Sequence, residues 1–476
     1  MMVDADLETP EKELNMPRLF GTDGIRGVIN QWPLTADFSL KLGQAVACVI
    51  GSGDARPTVV IGRDPRQSGY MLESALTAGL TSQGVDVMLV GVIPTPGVAY
   101  LTRTHQAQLG IVISASHNPF DHNGIKVFGP GGFKIPDETE NEIERLLLDS
   151  DITFEGCDAK RLGQSQEASP WQQDYEDYLV DAWGESRSLE GKRVILDCAN
   201  GATAGIAPRV FQRLGADVIA MENAPDGFNI NERYEYIWPK ALRAAVLRKK
   251  ALAGIAFDGD GDRVMLVDEK GGFVNGDGIL AILARDMVQK GWLTNNAVVS
   301  TPMSNWGLKA SLAEVGIRLE ETSVGDRFVL QRMIEENYAL GGEQSGHILI
   351  LRDGQTTGDG IYSALAMLKA VESEPDQSLA ALATCIREFP ECLVNIDVPS
   401  KPPLHTIPEV QAALEHLHAT LGANVDVTLR YSGTESKLRL KIRAGEEHEQ
   451  QLLEQQAEAF MTVAKQVISE PNATDV

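Results

Sequence analysis

The sequence has little of what marks a secreted, membrane-spanning or nucleic-acid-binding protein. Its five cysteines are scattered through 476 residues without CxxC spacing, which argues against a disulfide framework or a zinc site. No run approaches the roughly 20 apolar residues of a membrane helix, and the N-terminus lacks the basic and apolar regions of a signal peptide. Basic residues are outnumbered 42 to 67 by acidic ones, and this net charge of −25 repels nucleic acid. We therefore expect a cytoplasmic protein with neither nucleic acid nor membrane as a partner.

The acidic balance also sets a condition on any phosphorylated ligand. The electric field of the whole protein opposes the approach of a phosphate ester. A compact cluster of Arg, Lys and His side chains must then reverse the sign of the charge locally.

The length of the chain predicts several domains. Residues 1–15 are acidic and polar, and we expect a disordered tail there. Helix-period and strand-like segments then alternate, and the pattern restarts near Arg193 and again near Ala297. These restarts predict three successive α/β units, followed by a smaller α+β domain. The predicted bounds are 16–165, 166–272, 273–385 and 386–476.

Local patterns predict the elements of the first and last domains. Apolar β-branched runs such as Thr58–Ile61 are typical of strands covered on both faces. The other predicted strands are Val85–Val90, Gly110–Ile113, Cys392–Val398, Val425–Leu429 and Lys437–Ile442. The predicted helices are Ala36–Val49, Ser68–Leu80, Ile407–Leu421 and Glu446–Val467.

Ser116 lies in a Ser-Ala-Ser-His-Asn-Pro run directly after the strand-like Ile111–Ile113. Ligands of α/β proteins bind at the carboxyl ends of strands, and Pro119 makes the turn rigid. A serine beside His117 suits a nucleophile or a phosphate carrier. A helix N-cap followed by a surface histidine is the alternative. Lys126 follows a turn just downstream, where a lone lysine is usually solvated.

Asp258, Asp260 and Asp262 alternate with glycines and form the most specific motif. Close carboxylates repel one another unless a cation lies between them, and oxygen ligands favour magnesium or calcium. A calcium-binding EF-hand is disfavoured because Arg263 occupies the loop position that needs glycine and because both flanks are strand-like. The motif therefore predicts a catalytic divalent-metal loop.

Two further loops have ligand-binding composition. The loop Gly341–His347 offers an acceptor, a hydroxyl and a titratable group through Glu343, Ser345 and His347, a mixture that suits sugar hydroxyls. The segment Arg430–Arg439 joins arginines to a Ser-Gly-Thr turn, which suits a phosphate. Taken alone, each is also compatible with an ordinary turn or hairpin.

Together the motifs supply what phosphoryl transfer on a sugar phosphate needs. The sequence closely resembles the α-D-phosphohexomutase family from Pro17 to about Val467. The matching segments are Phe20–Gly27, Gly62–Asp64, Ile113–Pro119, Asp258–Arg263, Ser323–Arg327, Gly342–His347 and Arg430–Arg439. The resemblance implies three related α/β domains and a fourth with a TATA-binding-protein-like fold around one cleft. It also implies a magnesium-dependent phosphosugar mutase.

The resemblance further implies a role for each matching residue. Ser116 would carry the phosphoryl group, and its phosphate would share one Mg²⁺ with the aspartates Asp258, Asp260 and Asp262. Sugar hydroxyls would be held by Glu343 and Ser345. The non-reacting phosphate would be held by Arg430, Ser432, Gly433, Thr434 and Arg439. The reacting phosphate would be surrounded by Arg26, His117, Lys126, Arg263 and His347, with Lys126 and His347 as candidates for proton transfer.

The implied reaction passes through a bisphosphorylated sugar, which turns over in the cleft and returns its other phosphate to Ser116. A sugar bisphosphate is accordingly the expected activator. The Gly-Thr-Asp-Gly-Ile-Arg-Gly segment and Gln344 favour glucosamine phosphate as substrate. Glucose and mannose phosphates, handled by other members of the family, are the alternative. A homodimer remains open, since no residue here proves one.

The sequence also departs from the family pattern. Members usually have a Gly-Ser/Ala-Thr turn shortly after the segment that corresponds to Asn229–Asn231, but here Glu232–Pro239 follows. Ser436 also stands where many members have proline. The altered Glu232–Pro239 segment keeps a catalytically inactive sugar-phosphate-binding protein open, although the intact Ser116 and aspartates argue against it; the change at Ser436 is minor. A serine metallophosphatase would need a second set of metal ligands, which the sequence does not show.

Overall fold

The computed structural model describes residues 18–21, 23–51, 56–184, 188–232, 239–432 and 436–469. These residues form four β-sheets in chain order, each accompanied by helices. We refer to the units built on the four sheets as domains I to IV. The tail predicted over residues 1–15 lies outside the described residues.

Domain I is built on a six-stranded sheet with the strand order β1-β5-β4-β2-β3-β6. Strands β2, β3, β4 and β6 are parallel, whereas β5 runs antiparallel to β1 and β4. The elements are β1 (Ile25–Val28), α1 (Ala36–Ile50), β2 (Thr58–Arg63), α2 (Gln67–Ser82), β3 (Asp86–Val92), α3 (Thr95–Thr104), β4 (Leu109–Ile113), β5 (His122–Phe128), α4 (Asp137–Leu148) and β6 (Ser165–Glu167). The helices and strands predicted for this domain are all present, with ends shifted by at most two residues.

Domains II and III continue the α/β pattern with sheets ordered β11-β10-β9-β7-β8 and β13-β12-β14-β15. Domain II comprises α5 (Gln172–Trp183), β7 (Arg193–Asp197), α6 (Thr203–Arg213), β8 (Asp217–Met221), α7 (Lys240–Lys249), β9 (Ala253–Phe257), β10 (Val264–Asp268) and β11 (Phe273–Val274). Domain III comprises α8 (Gly276–Gln289), β12 (Ala297–Ser300), α9 (Trp306–Ala313), β13 (Arg318–Glu321), α10 (Asp326–Glu335), β14 (Leu340–Gly342), β15 (Ile348–Ile350), α11 (Gly360–Ser373) and α12 (Leu379–Ala383).

Domain IV is the smaller α+β unit, an antiparallel sheet of order β16-β18-β17 with two long helices. Its elements are β16 (Glu391–Asp397), α13 (Pro408–Leu421), β17 (Val425–Tyr431), β18 (Lys437–Ala444) and α14 (Gln450–Ser469). The predicted fold class is confirmed. Two short strands, β6 and β11, extend the sheets of domains I and II across the predicted boundaries at residues 165 and 272, so those boundaries remain proposals.

Local sequence explains where several helices begin. The side chains of Thr35, Asn275, Asn305 and Asp359 each accept a backbone N–H at the start of α1, α8, α9 and α11. Such caps satisfy donors that have no partner inside the helix. These Thr, Asn and Asp side chains therefore determine the residue at which each of the four helices begins.

The apolar core of domain IV is separate from that of the other three domains. One continuous cluster of buried side chains, reaching from Val60 to Leu379, runs through domains I, II and III. Domain IV has a cluster of its own, from Cys392 to Ile468. Domain IV is therefore joined to the rest mainly by polar contacts. No helix within the described ranges has the length and apolarity that crossing a bilayer demands.

Candidate active site

Two loops at strand ends face each other across the contact between domains I and II. The first follows β4 and carries Ser116, whose backbone has a positive φ of 51°. The second joins β9 to β10 and carries the three aspartates. The hydroxyl of Ser116 donates to Asp258 Oδ2 at 2.5 Å, and Ser116 is only 1% exposed. The predicted carrier serine and the predicted metal loop thus meet directly.

The Ser116 loop is held rigidly by buried polar side chains. Ser114 Oγ accepts the Ser116 N–H at 2.9 Å and donates to Asp64 Oδ2 at 2.6 Å. Arg66 is fully buried, pairs with Asp64 at 2.8 Å, and donates to the carbonyl oxygens of Ser116 at 3.1 Å and Asn118 at 2.7 Å. Sequence reasoning missed Arg66, although its position two residues after the matching Gly62–Asp64 segment is the available signal.

Domain II also binds this loop, through Asn231. Its side-chain nitrogen Nδ2 donates to the carbonyl oxygens of Ser116 at 2.9 Å and Asn118 at 3.0 Å. Gly259 lies against the same carbonyl, and a Cβ there would be 2.4 Å from the Ser116 oxygen. Sequence reasoning assigned no role to Asn231. Residues 233–238 of the atypical segment lie outside the described residues.

Asp258, Asp260 and Asp262 are buried, with one carboxylate oxygen of each within 4.8 Å of the others. Burial and the two neighbouring carboxylates raise the pKa of Asp258 well above its usual range. Within the described part of the chain, Oδ1 of Asp260 and Oδ1 of Asp262 have no hydrogen-bond partner. Strands on both sides of the loop rule out an EF-hand. Unpartnered buried carboxylate oxygens are a ligand set that fits magnesium.

Lys126, on β5, is the cation closest to these carboxylates. Its Nζ lies 2.8 Å from Asp260 Oδ2, 3.1 Å from Asp262 Oδ2 and 3.0 Å from Asp23 Oδ2. Burial disfavours the ammonium, but Asp23, Asp260 and Asp262 outweigh it and hold the pKa of Lys126 well above its ordinary value. The alternative of a solvated lysine is excluded, since Lys126 is 2% exposed.

A second chain of charges connects domain I to domain III. Lys134 Nζ lies 2.8 Å from Asp23 Oδ1 and 2.6 Å from Asp326 Oδ2. His347 lies between Asp326 and Asp262, with Nε2 at 3.5 Å from the first and Nδ1 at 3.7 Å from the second. Burial lowers the pKa of His347, but Asp262 and Asp326 outweigh burial and raise it overall. Asp23, Asp326 and Lys134 were not among the predicted site residues.

The other predicted cations lie around the Ser116 hydroxyl. His117 Nδ1 is 3.5 Å from Ser116 Oγ, and burial, together with Arg263 and Arg26, lowers the pKa of His117 to about 2. This imidazole is therefore neutral. Arg26 donates to the carbonyl of Ala115 at 3.4 Å and pairs with Asp23. Arg263 Nε lies 3.8 Å from Asp262 Oδ1. With Lys126, these guanidinium groups are the cations that the acidic sequence requires at a phosphate site, and Asp23 and the aspartates of the metal loop balance their charge.

The predicted sugar loop lies between the reacting cluster and domain IV. Glu343 Oε1 accepts the Gly325 N–H at 3.3 Å. Burial raises the pKa of Glu343, and the nearby Arg263 opposes this rise. The carboxylate of Glu343 is also close enough to Arg430, in domain IV, to act against the lowering of the Arg430 pKa. Ser345, in the same loop, is half-buried.

The predicted phosphate cradle is at the edge of domain IV nearest this loop. Arg430 and Arg439 are directly opposite each other on β17 and β18. Burial, and then Arg439, lower the pKa of Arg430. Like charges opposite each other destabilise a sheet, which an anion between them would relieve. Ser432 is buried and its carbonyl accepts Lys401 Nζ at 2.7 Å. The predicted Gly433 and Thr434 lie outside the described residues.

Comparisons with known proteins assign the chain and its fold to a family. Residues 17–152, 173–272 and 275–389 match domains I, II and III of the family described as phosphoglucomutase/phosphomannomutase, and residues 393–463 match its C-terminal domain. The chain belongs to this family of phosphohexomutases.

Two relatives that match over most of their length are described as phosphoglucosamine mutases. A phosphoglucosamine mutase of Syntrophus aciditrophicus is 45% identical over 91% of this chain and 96% of its own. One of Bdellovibrio bacteriovorus is 46% identical over 90% and 94%.

Solved structures agree in fold. A phosphoglucomutase/phosphomannomutase family protein from Burkholderia thailandensis superposes with a TM-score of 0.76 at 23% identity, over 94% of this chain and 98% of its own. An N-acetylphosphoglucosamine mutase from Aspergillus fumigatus gives 0.64 at 15% identity, over 94% and 96%.

Proposed function

We propose that the protein interconverts glucosamine 6-phosphate and glucosamine 1-phosphate, the activity of a phosphoglucosamine mutase. The observation that carries this proposal is the 45% identity to a phosphoglucosamine mutase over 91% of the chain and nearly all of the relative. It favours the amino sugar over the glucose and mannose phosphates that other family members use. The enzyme is thus an isomerase that acts as an intramolecular phosphotransferase.

In the proposed reaction, Ser116 is the carrier. The phosphoryl group on Ser116 Oγ passes to the free hydroxyl of the bound sugar phosphate, so the P–Oγ bond breaks as a new P–O bond forms. The resulting bisphosphorylated sugar turns over, and its other phosphoryl group returns to Ser116. The rigid contacts of Arg66 and Asn231 with the loop carbonyls fix the position of Ser116 Oγ before transfer begins.

The surrounding side chains have complementary tasks. Asp258, Asp260 and Asp262 would hold one magnesium ion, which supplies positive charge to the transferring phosphoryl group when bound. Arg26 and Arg263 add positive charge beside the neutral His117. Lys126 is held as an ammonium by its carboxylate partners, which suits it to donate a proton to Ser116 Oγ as the phosphoryl group leaves. His347 Nε2 has no hydrogen-bond partner among the described residues, and this imidazole, whose pKa Asp262 and Asp326 raise, is the second candidate for proton transfer with the sugar hydroxyl.

One cradle must accept either phosphate of the intermediate, because the sugar turns over between the two transfers. Arg430 and Arg439 suit this task, since guanidinium groups bind phosphate without regard to the sugar attached to it. Ser432, Gly433 and Thr434 would add hydroxyl and backbone donors. Glu343 and Ser345, in the loop beside the cradle, would hold the sugar hydroxyls.

The partner is a small phosphosugar, and a sugar bisphosphate would act as activator by phosphorylating Ser116. The five cysteines, all described and all free thiols, are compatible with the cytoplasm. There the product would feed cell-wall precursor synthesis. The homodimer stays a prediction.

A coupled assay of isomerisation tests the proposal. Glucosamine, glucose and mannose 6-phosphates are compared at equal concentration with magnesium and a trace of sugar bisphosphate. A strong preference for glucosamine 6-phosphate supports the proposal. Preference for glucose or mannose phosphate contradicts the proposed substrate but not the proposed mechanism. Release of inorganic phosphate instead of an isomer contradicts the proposed reaction.

A further inference from the structure

The face of β18 that points away from the domain IV core carries four cations in alternation, of which Lys437 is at the start of the strand and the other three lie farther along it. Leu438, Leu440 and Ile442 lie in the apolar cluster of domain IV. Because side chains of a strand alternate between faces, Arg439, Lys441 and Arg443 share the opposite face. Arg439 belongs to the proposed phosphate cradle. The other two are buried, Lys441 at 2% and Arg443 at 4% exposed, and the function proposed above uses neither.

Lys441 contacts the sugar loop directly. Its Nζ lies 2.8 Å from Glu391 Oε1, at the start of β16, and 3.4 Å from Gln344 Oε1. The Gln344 amide nitrogen Nε2 donates to the same Glu391 oxygen at 3.0 Å. Both ends of the Gln344 side chain are thus bound by domain IV, although Gln344 lies between the proposed sugar-binding residues Glu343 and Ser345.

The backbone of Gln344 is fixed from the other side. Its carbonyl oxygen accepts the Gly276 N–H at 3.1 Å, at the start of α8 in domain III. A Cβ at Gly276 would lie 2.0 Å from the Glu343 carbonyl oxygen, so the loop rests closely on this helix end. Gln344 therefore bridges a rigid part of domain III and the ion pair of domain IV.

Arg443 makes a separate connection between the same domains. It pairs with Asp426 at 2.7 Å within domain IV, and with Glu321 at 2.5 Å and the Ser304 carbonyl at 3.2 Å in domain III. This contact does not involve the sugar loop. Since domain IV has its own apolar core, such polar contacts determine where it lies relative to domain III.

We propose that Gln344, held by the buried Lys441–Glu391 ion pair, is a positioning residue that sets the distance between the sugar-binding loop and the phosphate cradle. The proposal rests on the function proposed above and deepens it. When the distance between the sugar-binding loop and the phosphate cradle is fixed, the two together hold opposite ends of the bisphosphorylated sugar while it turns over. When this distance varies, the bisphosphorylated intermediate dissociates more often and leaves Ser116 without a phosphoryl group.

The test is the requirement for added sugar bisphosphate. Gln344→Met and Lys441→Met remove the two partners at nearly constant volume. We expect each to raise about tenfold the bisphosphate concentration that gives half-maximal rate, and the double variant to be no worse than the poorer single. Lys441→Arg, which keeps the charge, should restore most of the loss. A purely structural residue would lower thermal stability without this change in bisphosphate requirement.

Arg443→Met serves as the matched control, because Arg443 lies on the same strand face but contacts Glu321 instead of Gln344. Its effect should multiply with that of Gln344→Met, since the two contacts are independent. An unchanged bisphosphate requirement in Gln344→Met, or multiplying effects of Gln344→Met and Lys441→Met, would overturn the proposal.

Two further measurements distinguish a failure to fold, or a wrong substrate, from failure of this proposal. Should Lys441→Met fail to fold because Glu391 is left unpaired, Lys441→Met/Glu391→Gln carries the same expectation. If wild-type protein isomerises glucose or mannose phosphate instead of glucosamine phosphate, the substrate proposal fails, and the same coupling is measured with the sugar that reacts.

Discussion

The side-chain amide of Asn231 donates to the carbonyl oxygen of Ser116 at 2.9 Å, across the contact between domains I and II. The residue that precedes the atypical segment of this chain is therefore bound to the loop that carries the proposed phosphoserine. Because the contact fixes backbone beside the reacting oxygen, we expect its loss to reduce turnover more than substrate binding.

Asn231→Asp tests this contact at constant shape. The carboxylate cannot donate to the Ser116 and Asn118 carbonyls and repels them, so kcat should fall by about a hundredfold with a small change in KM. The same substitution at Asn229, which bonds to the Ala224 carbonyl and not to the Ser116 loop, is the control. Steady-state kinetics of both variants distinguish a specific contact from general disturbance of the segment.

Ser116→Ala should remove mutase activity by a factor of at least about a thousand while the protein stays folded. The substitution leaves the Cβ in place, and the loop keeps its bonds to Arg66 and Asn231. Ser74→Ala, on the exposed face of α2, is the matched control. Substantial turnover by Ser116→Ala, or recovery of the phosphoryl group on another serine by mass spectrometry, would refute the carrier role.

Asp260→Asn should weaken the response to magnesium and the turnover together. Asp260 Oδ1, which has no partner among the described residues, becomes part of a neutral ligand, so the half-saturating magnesium concentration should rise about tenfold. Asp268→Asn, at the end of β10 outside the cluster, should leave the magnesium titration unchanged. An unaltered titration with normal turnover in Asp260→Asn would contradict the metal assignment.

Arg430→Met should raise KM for the sugar phosphate by about a hundredfold, because it removes one of the two charges of the cradle. It should also raise the melting temperature of the free protein, since it removes the repulsion of Arg439 across the strand pair. Thermal melts with and without inorganic phosphate measure this, and the stabilisation by phosphate should shrink. Arg387→Met, at an exposed arginine, should change neither quantity.

Asp277 gives the folded protein a pH dependence that can be measured. Burial raises the pKa of this carboxyl from 3.8 to about 7, so between those values the folded state holds a proton that the unfolded state has lost. Stability from this group therefore falls as pH rises from about 4 to 7. Asp277→Asn should be stabilised relative to wild type by about 3 kcal/mol more at pH 8 than at pH 5. Equal differences at both pH values would contradict the assignment.

The parts of the site that follow from sequence are those with short-range patterns. The alternation of Asp258, Asp260 and Asp262 between two strand-like runs predicts both the loop and its role as a divalent-metal site. The family resemblance then supplies Lys126 and His347, whose burial no local pattern indicates. The fold class followed in the same way from periodicity and from the restarts along the chain.

The remainder depends on contacts between residues far apart in the chain. A buried Arg66 has the same local sequence as a solvated one, and only its contact with the loop carbonyls distinguishes them. Asp326 becomes part of the site because domain III brings it to Lys134, 192 positions earlier. Strand β6 likewise joins the first sheet after a long irregular segment. Such pairings are set by packing between domains, which single-sequence patterns do not record.

The separate apolar core of domain IV has a consequence for how the molecule comes apart. The first three domains share one large apolar cluster in addition to smaller ones of their own, and they should unfold as a cooperative unit, whereas domain IV can melt by itself once its polar contacts are lost. Mild denaturant would then yield a species that retains Ser116 opposite the aspartates but has lost the arginine cradle. Affinity for substrate and competence for phosphoryl transfer thus belong to different cooperative units of one chain.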